Sequence, residues 1–166
     1  MIGYRCSGKT SVGKRLAAKL GMAFYDSDAL IQEEDGKTVQ EIVESGGWTC
    51  FRMKEKEVIA KLALQDNCVI ALGGGAVLDR ENVETMKING RVIWLSADIH
   101  TIMDRMARDE ATARQRPPLL GRDNIQETAL LLEERTPLYR AAADLIIDTK
   151  DRMIDDVVEM IIQLSE

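Results

Sequence analysis

The sequence predicts an α/β fold built around a buried parallel sheet. Short β-branched apolar runs alternate with longer amphipathic ones along the chain. Those short runs are apolar through their middle, as strands covered on both faces must be. The 166 residues suit one domain spanning 1–166, and a chain of that length can bury about 70% of its unfolded surface.

The elements follow in order. Lys9 to Leu20 reads as a helix with Gly21 just past its end. Ala23-Phe24-Tyr25 reads as a short strand ending at Asp26, and Asp28 precedes a short helix. Thr38-Val39-Gln40-Glu41 is a capping-box pattern ahead of Ile42 and Val43. Trp48 to about Leu64 reads as one long helix. Cys68 to Leu72 is a buried strand ending at Gly73, Arg91 to Leu95 is another, and Asp144 to Asp148 a further one. Ile99 to Ala107 and Ile125 to Ala141 read as helices. Ile154, Val157, Val158, Ile161 and Ile162 give the last helix its apolar stripe. The stretch from Arg108 to Asn124 is polar, Arg-rich and broken by Pro117, Pro118 and Gly121. It reads as a mobile lid or as a plain connector.

Composition excludes several functions. Hydrophobic residues make up 45% and charged residues 30%, and no run approaches the roughly 18 apolar residues of a membrane span. No signal peptide is visible, and a cytoplasmic location is expected. The net charge of −6 argues against a general nucleic-acid binder but not against a local pocket for a small anion. Cys6, Cys50 and Cys68 are odd in number and far apart, which fits a reducing compartment rather than a disulfide framework. A single histidine, His100, makes a structural zinc site improbable.

Gly3-Tyr4-Arg5-Cys6-Ser7-Gly8-Lys9-Thr10 fits the G-x-x-x-x-G-K-[ST] pattern. Glycines let backbone N–H groups turn inward around phosphate oxygens, and the following helix offers its positive end to the same anion. Lys9 would reach the β- and γ-phosphates, and the Thr10 hydroxyl would coordinate Mg²⁺. The alternative is a chance glycine turn. Such a loop should follow a strand, and here only Met1 and Ile2 precede it. Cys6 has no histidine beside it and reads as loop filler.

Asp26-Ser27-Asp28 falls where the next strand should end, the edge where open parallel sheets bind ligands. One carboxylate could orient metal-bound water and the other accept a proton from an attacking hydroxyl; an exposed turn with a helix cap is the alternative. Gly73-Gly74-Gly75 follows a strand and would let a ligand approach the backbone, or form a simple turn. Phe51-Arg52 with Glu55 one turn on is either a surface pair or an arginine aimed at an anionic substrate and held by Glu55. Arg116-Pro117 and Arg135-Thr136-Pro137-Leu138-Tyr139-Arg140 set arginines beside prolines, as a site or as a solvated face.

In this order the motifs resemble the shikimate kinases, small phosphate-loop kinases, from Gly3 to about Asp148. The resemblance implies a three-layer P-loop kinase fold with five parallel strands in the order 2-3-1-4-5, a lid over about 108–124, and a shikimate-binding helical region over about 28–64. It implies ATP-dependent phosphorylation of the 3-hydroxyl of shikimate, on the way to aromatic amino acids. Lys9, Asp28 and Arg116 would be catalytic, with Asp28 as the base and Arg116 closing over the γ-phosphate. ATP would be held by Gly3, Cys6, Ser7, Gly8, Lys9, Thr10 and Ser11, with Arg105 near the adenine and Arg116 on the lid. Shikimate would meet Asp28, Phe51, Arg52, Gly73, Gly74, Gly75 and Arg135, with the arginines at its carboxylate. Mg²⁺ would sit near Thr10 and Asp26. A monomer that binds neither nucleic acid nor membrane is expected. The rivals are another small-molecule kinase, such as a gluconate kinase, and a non-catalytic nucleotide-binding switch. The chain departs from the family pattern at several points. Cys6 stands at a common glycine, Trp48 at a common Glu and Ala71 at a common Ser or Thr, and no proline stands near Ile154.

Overall fold

A computed structural model describes residues 1–108 and 125–165. The lid reading and Arg116 lie outside the described residues. The element order is α1 (Lys9–Leu20), β1 (Ala23–Asp26), α2 (Ser27–Asp35), α3 (Val39–Leu62), β2 (Cys68–Ala71), a 3₁₀ turn (Ala76–Leu78), α4 (Arg80–Asn89), β3 (Ile93–Ser96), α5 (Ile99–Arg108), α6 (Ile125–Ala142), β4 (Leu145–Asp148) and α7 (Ile154–Gln163).

The strands form two parallel pairs. Ala23 to Asp26 of β1 register with Cys68 to Ala71 of β2, and Ile93 to Ser96 of β3 with Leu145 to Asp148 of β4. Met1 and Ile2 join the pairs. The Met1 carbonyl accepts from Leu72 N at 3.1 Å, Ile2 N donates to Ile93 O at 2.8 Å, and Leu95 N donates to Ile2 O at 2.9 Å. Among the described residues there are four strands and one isolated bridge, Ile2 to Trp94, which lies between β2 and β3 at the place expected for the central strand.

Helices cover both faces. Val12 and Leu16 of α1 pack with Val157, Val158 and Ile161 of α7 onto Val69, Leu95 and Ile147. On the other face Ile59 of α3 and Tyr139 and Ala142 of α6 pack onto Ile2, Leu72 and Trp94. A third cluster, built from Ile31, Val39, Ile42, Phe51 and Val58, holds α2 against α3. Fully burying side chains of this size contributes about 1.5–3 kcal/mol each, which fixes the strand ends where the site forms.

Local signals place the boundaries. Gly21 has φ +66° and ends α1 in the left-handed region. The capping box forms as expected, with Thr38 Oγ1 accepting from Glu41 N and the Glu41 carboxylate accepting from Thr38 N. Element α3 is two helical segments joined at Gly47, whose φ +71° and ψ 174° are non-helical; the first starts at Val39 after the capping box and the second at Trp48, where the sequence places the start of a helix. Asp26, not Asp28, caps α2, accepting from Asp28 N and Ala29 N at 3.1 and 3.3 Å.

Candidate active site

The phosphate loop runs from the Met1–Ile2 bridge into α1. Cys6 adopts φ +57°, the left-handed conformation that glycine takes without steric cost, so the turn persists with a cysteine in it. Lys9 is buried, and its Nζ donates to the carbonyls of Gly3 and Tyr4, each at 2.8 Å. Thr10 Oγ1 donates to Asp26 Oδ2 at 2.8 Å, while Asp26 Oδ1 caps α2. A hydroxyl and a carboxylate held together at the loop are hard oxygen donors of the type Mg²⁺ takes alongside phosphate oxygens and water. No cluster of three His, Cys, Asp or Glu side chains suited to a metal occurs among the described residues. Gly8, Lys9, Thr10, Ser11, Asp26 and Asp28 line one open groove.

A second cavity adjoins that groove. Asp28, Phe51, Arg52, Gly73, Gly74, Gly75 and Arg135 all line it, so the expected substrate residues converge from α2, α3, the loop after β2, and α6. Arg52 ion-pairs with Glu55 at 2.5 Å, as the i,i+3 spacing predicts, and Glu55 is fully buried. Burial pushes the Glu55 carboxyl above its ordinary range. The positive charges of Arg52 and Arg135 pull it back, and the charge of Asp28 adds to the rise. The Arg52 guanidinium carbon also lies 5.4 Å from the Trp48 ring centroid and 5.3 Å from that of Phe51. Arg135 is buried, donates to Gly74 O at 3.4 Å and leaves Nε unpaired.

The glycine run is there to make room. A Cβ on Gly73 would come within 2.6 Å of an Asp28 oxygen and 2.7 Å of a Glu55 oxygen, and one on Gly75 within 2.1 Å of an Arg52 nitrogen. Gly73 N donates to Ser27 Oγ at 3.0 Å, which ties the run to the start of α2. That N–H is therefore committed within the fold. The Tyr139 hydroxyl donates to Gly74 O, and burial pushes its pKa up to about 12, with Arg135 opposing the rise.

Arg105 sits at the far side of the phosphate loop. It donates to Thr149 Oγ1 at 3.0 Å, Thr149 O at 2.8 Å and Cys6 O at 3.4 Å. It lines a hollow with Ser11, Met153 and Ile154, which is where the resemblance implies the base. Ser7 is fully buried behind the loop. Arg140, quoted beside Arg135, instead lies 5.8 Å from the Trp94 ring centroid. Another cavity at the opposite ends of the strands is lined by Met1, Leu16, Ile59, Val69 and Val92 among others and contains none of the expected site residues. Sequence reasoning missed Tyr4, Arg5, Val39 and Trp48 as cavity walls. Trp48 was visible only as a departure from the family pattern, and Arg5 only as a variable position inside the loop motif.

Comparison with known proteins decides the family. The shikimate kinase family profile matches residues 5–166. The chain belongs to the shikimate kinase family. It is 39% identical over 171 residues to the shikimate kinase of Syntrophus aciditrophicus, covering 98% of this chain and 88% of that one. It is 44% identical over 163 residues to that of Symbiobacterium thermophilum, covering 98% and 92%. A solved shikimate kinase from Acinetobacter baumannii, in complex with shikimate, superposes with a TM-score of 0.92 at 35% identity, covering 99% of this chain and 89% of that one. The family's fold is thus the fold of this chain. No helix among the described residues is long and apolar enough to cross a membrane.

Proposed function

We propose that this enzyme transfers the γ-phosphoryl group of ATP to the 3-hydroxyl of shikimate. One observation carries the assignment of roles: a cavity lined by Arg52, Arg135 and Arg5 and by a glycine run opens beside the phosphate loop, with the Asp28 carboxylate at the opening. Arg52 and Arg135 bind the carboxylate of the acid through charge-assisted hydrogen bonds. Glu55 holds Arg52 in place, and Phe51 packs against the ring. Asp28 orients the hydroxyl and accepts its proton as the oxygen attacks phosphorus. Lys9 draws charge from the transferring group. Thr10 and Asp26 would hold Mg²⁺, which neutralises phosphate charge when bound. Arg105 flanks the base. One chain carries all of these groups, so the reaction needs no second copy, and a cytoplasmic monomer is the state proposed.

The carboxylate clamp is tested with shikimate amide. A neutral amide leaves two guanidiniums poorly paired, and unpaired buried polar groups cost about 1–3 kcal/mol each, more when charged. The amide should lose at least about tenfold in kcat/KM. Arg52→Ala should erase much of that preference, and Arg52→Lys should restore it only in part, because an ammonium lacks the planar fork. Equal kcat/KM for acid and amide in the parent would refute the clamp.

A further inference from the structure

Arg5 is assigned no role above, yet its position is distinctive. Among the described residues, only Arg5, Asp28 and Val39 line both the acid cavity and the phosphate groove. Acceptor oxygen and γ-phosphorus must meet at such a junction, because reacting atoms have to approach to about 3–3.5 Å. The junction therefore holds one cation and one anion, at 8% and 7% exposure respectively. We propose that Arg5 is a catalytic residue, its guanidinium contacting the γ-phosphoryl group during transfer. This rests on the reading of the site given under Proposed function.

The local structure aims Arg5 there. Lys9 Nζ grips the carbonyls of Gly3 and Tyr4, the two residues just before it, so the phosphate-binding lysine also fixes the backbone that carries Arg5. The Tyr4 ring stands between two guanidiniums, with the Arg5 carbon 5.7 Å and the Arg135 carbon 6.0 Å from its centroid. Arg135 serves the acid cavity, and Arg5 is the one that reaches both spaces.

The chemistry suits a guanidinium. A bond forms from the hydroxyl oxygen to phosphorus while the bond from phosphorus to the β–γ bridging oxygen breaks. The electron pair leaves with ADP, and the hydroxyl proton passes to Asp28. Charge spreads over the three equatorial oxygens of the transferring group. A planar fork of donors fits two of them at once, where the Lys9 ammonium acts as a point charge.

The test uses the full chain with Arg5→Ala and Arg5→Lys. It measures kcat and KM for both substrates, the thermal midpoint, and affinity for Mg·ADP plus shikimate with and without aluminium fluoride, a planar mimic of the transferring group. Arg5→Ala should lower kcat at least about 100-fold, a floor set below the roughly 10³- to 10⁵-fold worth of arginines that stabilise phosphoryl transfer. KM for shikimate should stay within about threefold, ADP affinity should hold, and the fluoride-dependent tightening should be lost. Arg5→Lys should fall between Arg5→Ala and the parent. A kcat within about threefold of the parent, a lowered kcat with fluoride tightening intact, or a loss confined to the KM for shikimate would each overturn the proposal. If Arg5→Ala does not fold, Arg5→Lys decides, and parental kcat with parental fluoride tightening would overturn it. A parent that releases no ADP with shikimate would instead overturn the reading beneath, and the proposal with it.

Discussion

Gly75→Ala should damage acid recognition while leaving the nucleotide site intact. Gly75 has φ −99° and ψ 0°, which alanine adopts without strain, so the whole cost lies in one contact. The new Cβ would lie 2.1 Å from an Arg52 terminal nitrogen and 2.5 Å from its guanidinium carbon. Non-bonded atoms settle at about 3.5 Å, so the guanidinium must retreat by about 1.4 Å. It cannot retreat freely, because Glu55 holds it at 2.5 Å and two aromatic rings flank it. Misplacing a positioned group by about 1 Å costs up to about 100-fold. We expect kcat/KM for shikimate to fall about 30- to 100-fold, about 2–3 kcal/mol at 1.36 kcal/mol per decade. Stretching a pair whose acid is fully buried should also lower stability by about 1–2 kcal/mol, less than breaking a buried pair outright. ADP release at saturating ATP and varied shikimate reads the first effect, and thermal unfolding reads the second. A kcat/KM within twofold of the parent would refute the packing argument for the glycine run.

Glu55 makes shikimate binding pH-dependent. Its pKa is raised in the folded state, chiefly by burial. The sign follows: this group favours folding below its unfolded pKa of about 4.3, and the contribution is lost as pH rises through the higher folded value. Binding runs the other way, because only the carboxylate holds Arg52. KM for shikimate should rise as pH falls through the raised pKa, and Glu55→Gln should flatten that limb; a limb unchanged in the variant would assign it to another group. Lys9→Met should keep the fold by circular dichroism and lose most phosphoryl transfer, whereas near-parental turnover would remove the phosphate-loop assignment. Asp28→Asn should lower kcat by about two to four decades with ADP affinity preserved. Lost ADP affinity with unchanged kcat would show that its role is wrongly assigned.

What the sequence makes legible is local chemistry with a fixed spacing. The four full strands fall within two residues of their expected bounds, although only β3 is buried through its middle; β1 and β4 are partly exposed, against the expectation of strands covered on both faces. Helix α4 was overlooked. Its apolar side is narrow, Val83 and Met86 beside the buried Asn82, and its other signals are the Asp79 cap and the Arg80–Glu84 pair. The helix start at Trp48 was legible, and Gly47 kinks the chain just before it, while Phe51 and Val58 still share a core with Ile42 and Ile31 on the two sides of the kink. The Arg52–Glu55 pair was legible from its i,i+3 spacing. The Tyr139–Gly74 bond was not, since it joins positions 65 residues apart through the packing of α6. Arg5 was hidden for a similar reason, as its meaning comes from the meeting of two cavities that no local pattern encodes.

The most direct test of the central claim is ADP release by the parent with shikimate, with gluconate and with no acceptor. The site geometry predicts steady release with shikimate, little with gluconate, and a slow background without acceptor, with shikimate 3-phosphate formed in equal amount to ADP. Release that does not depend on shikimate, or that is faster with gluconate, would contradict the assignment of the arginine-lined cavity as the acceptor site.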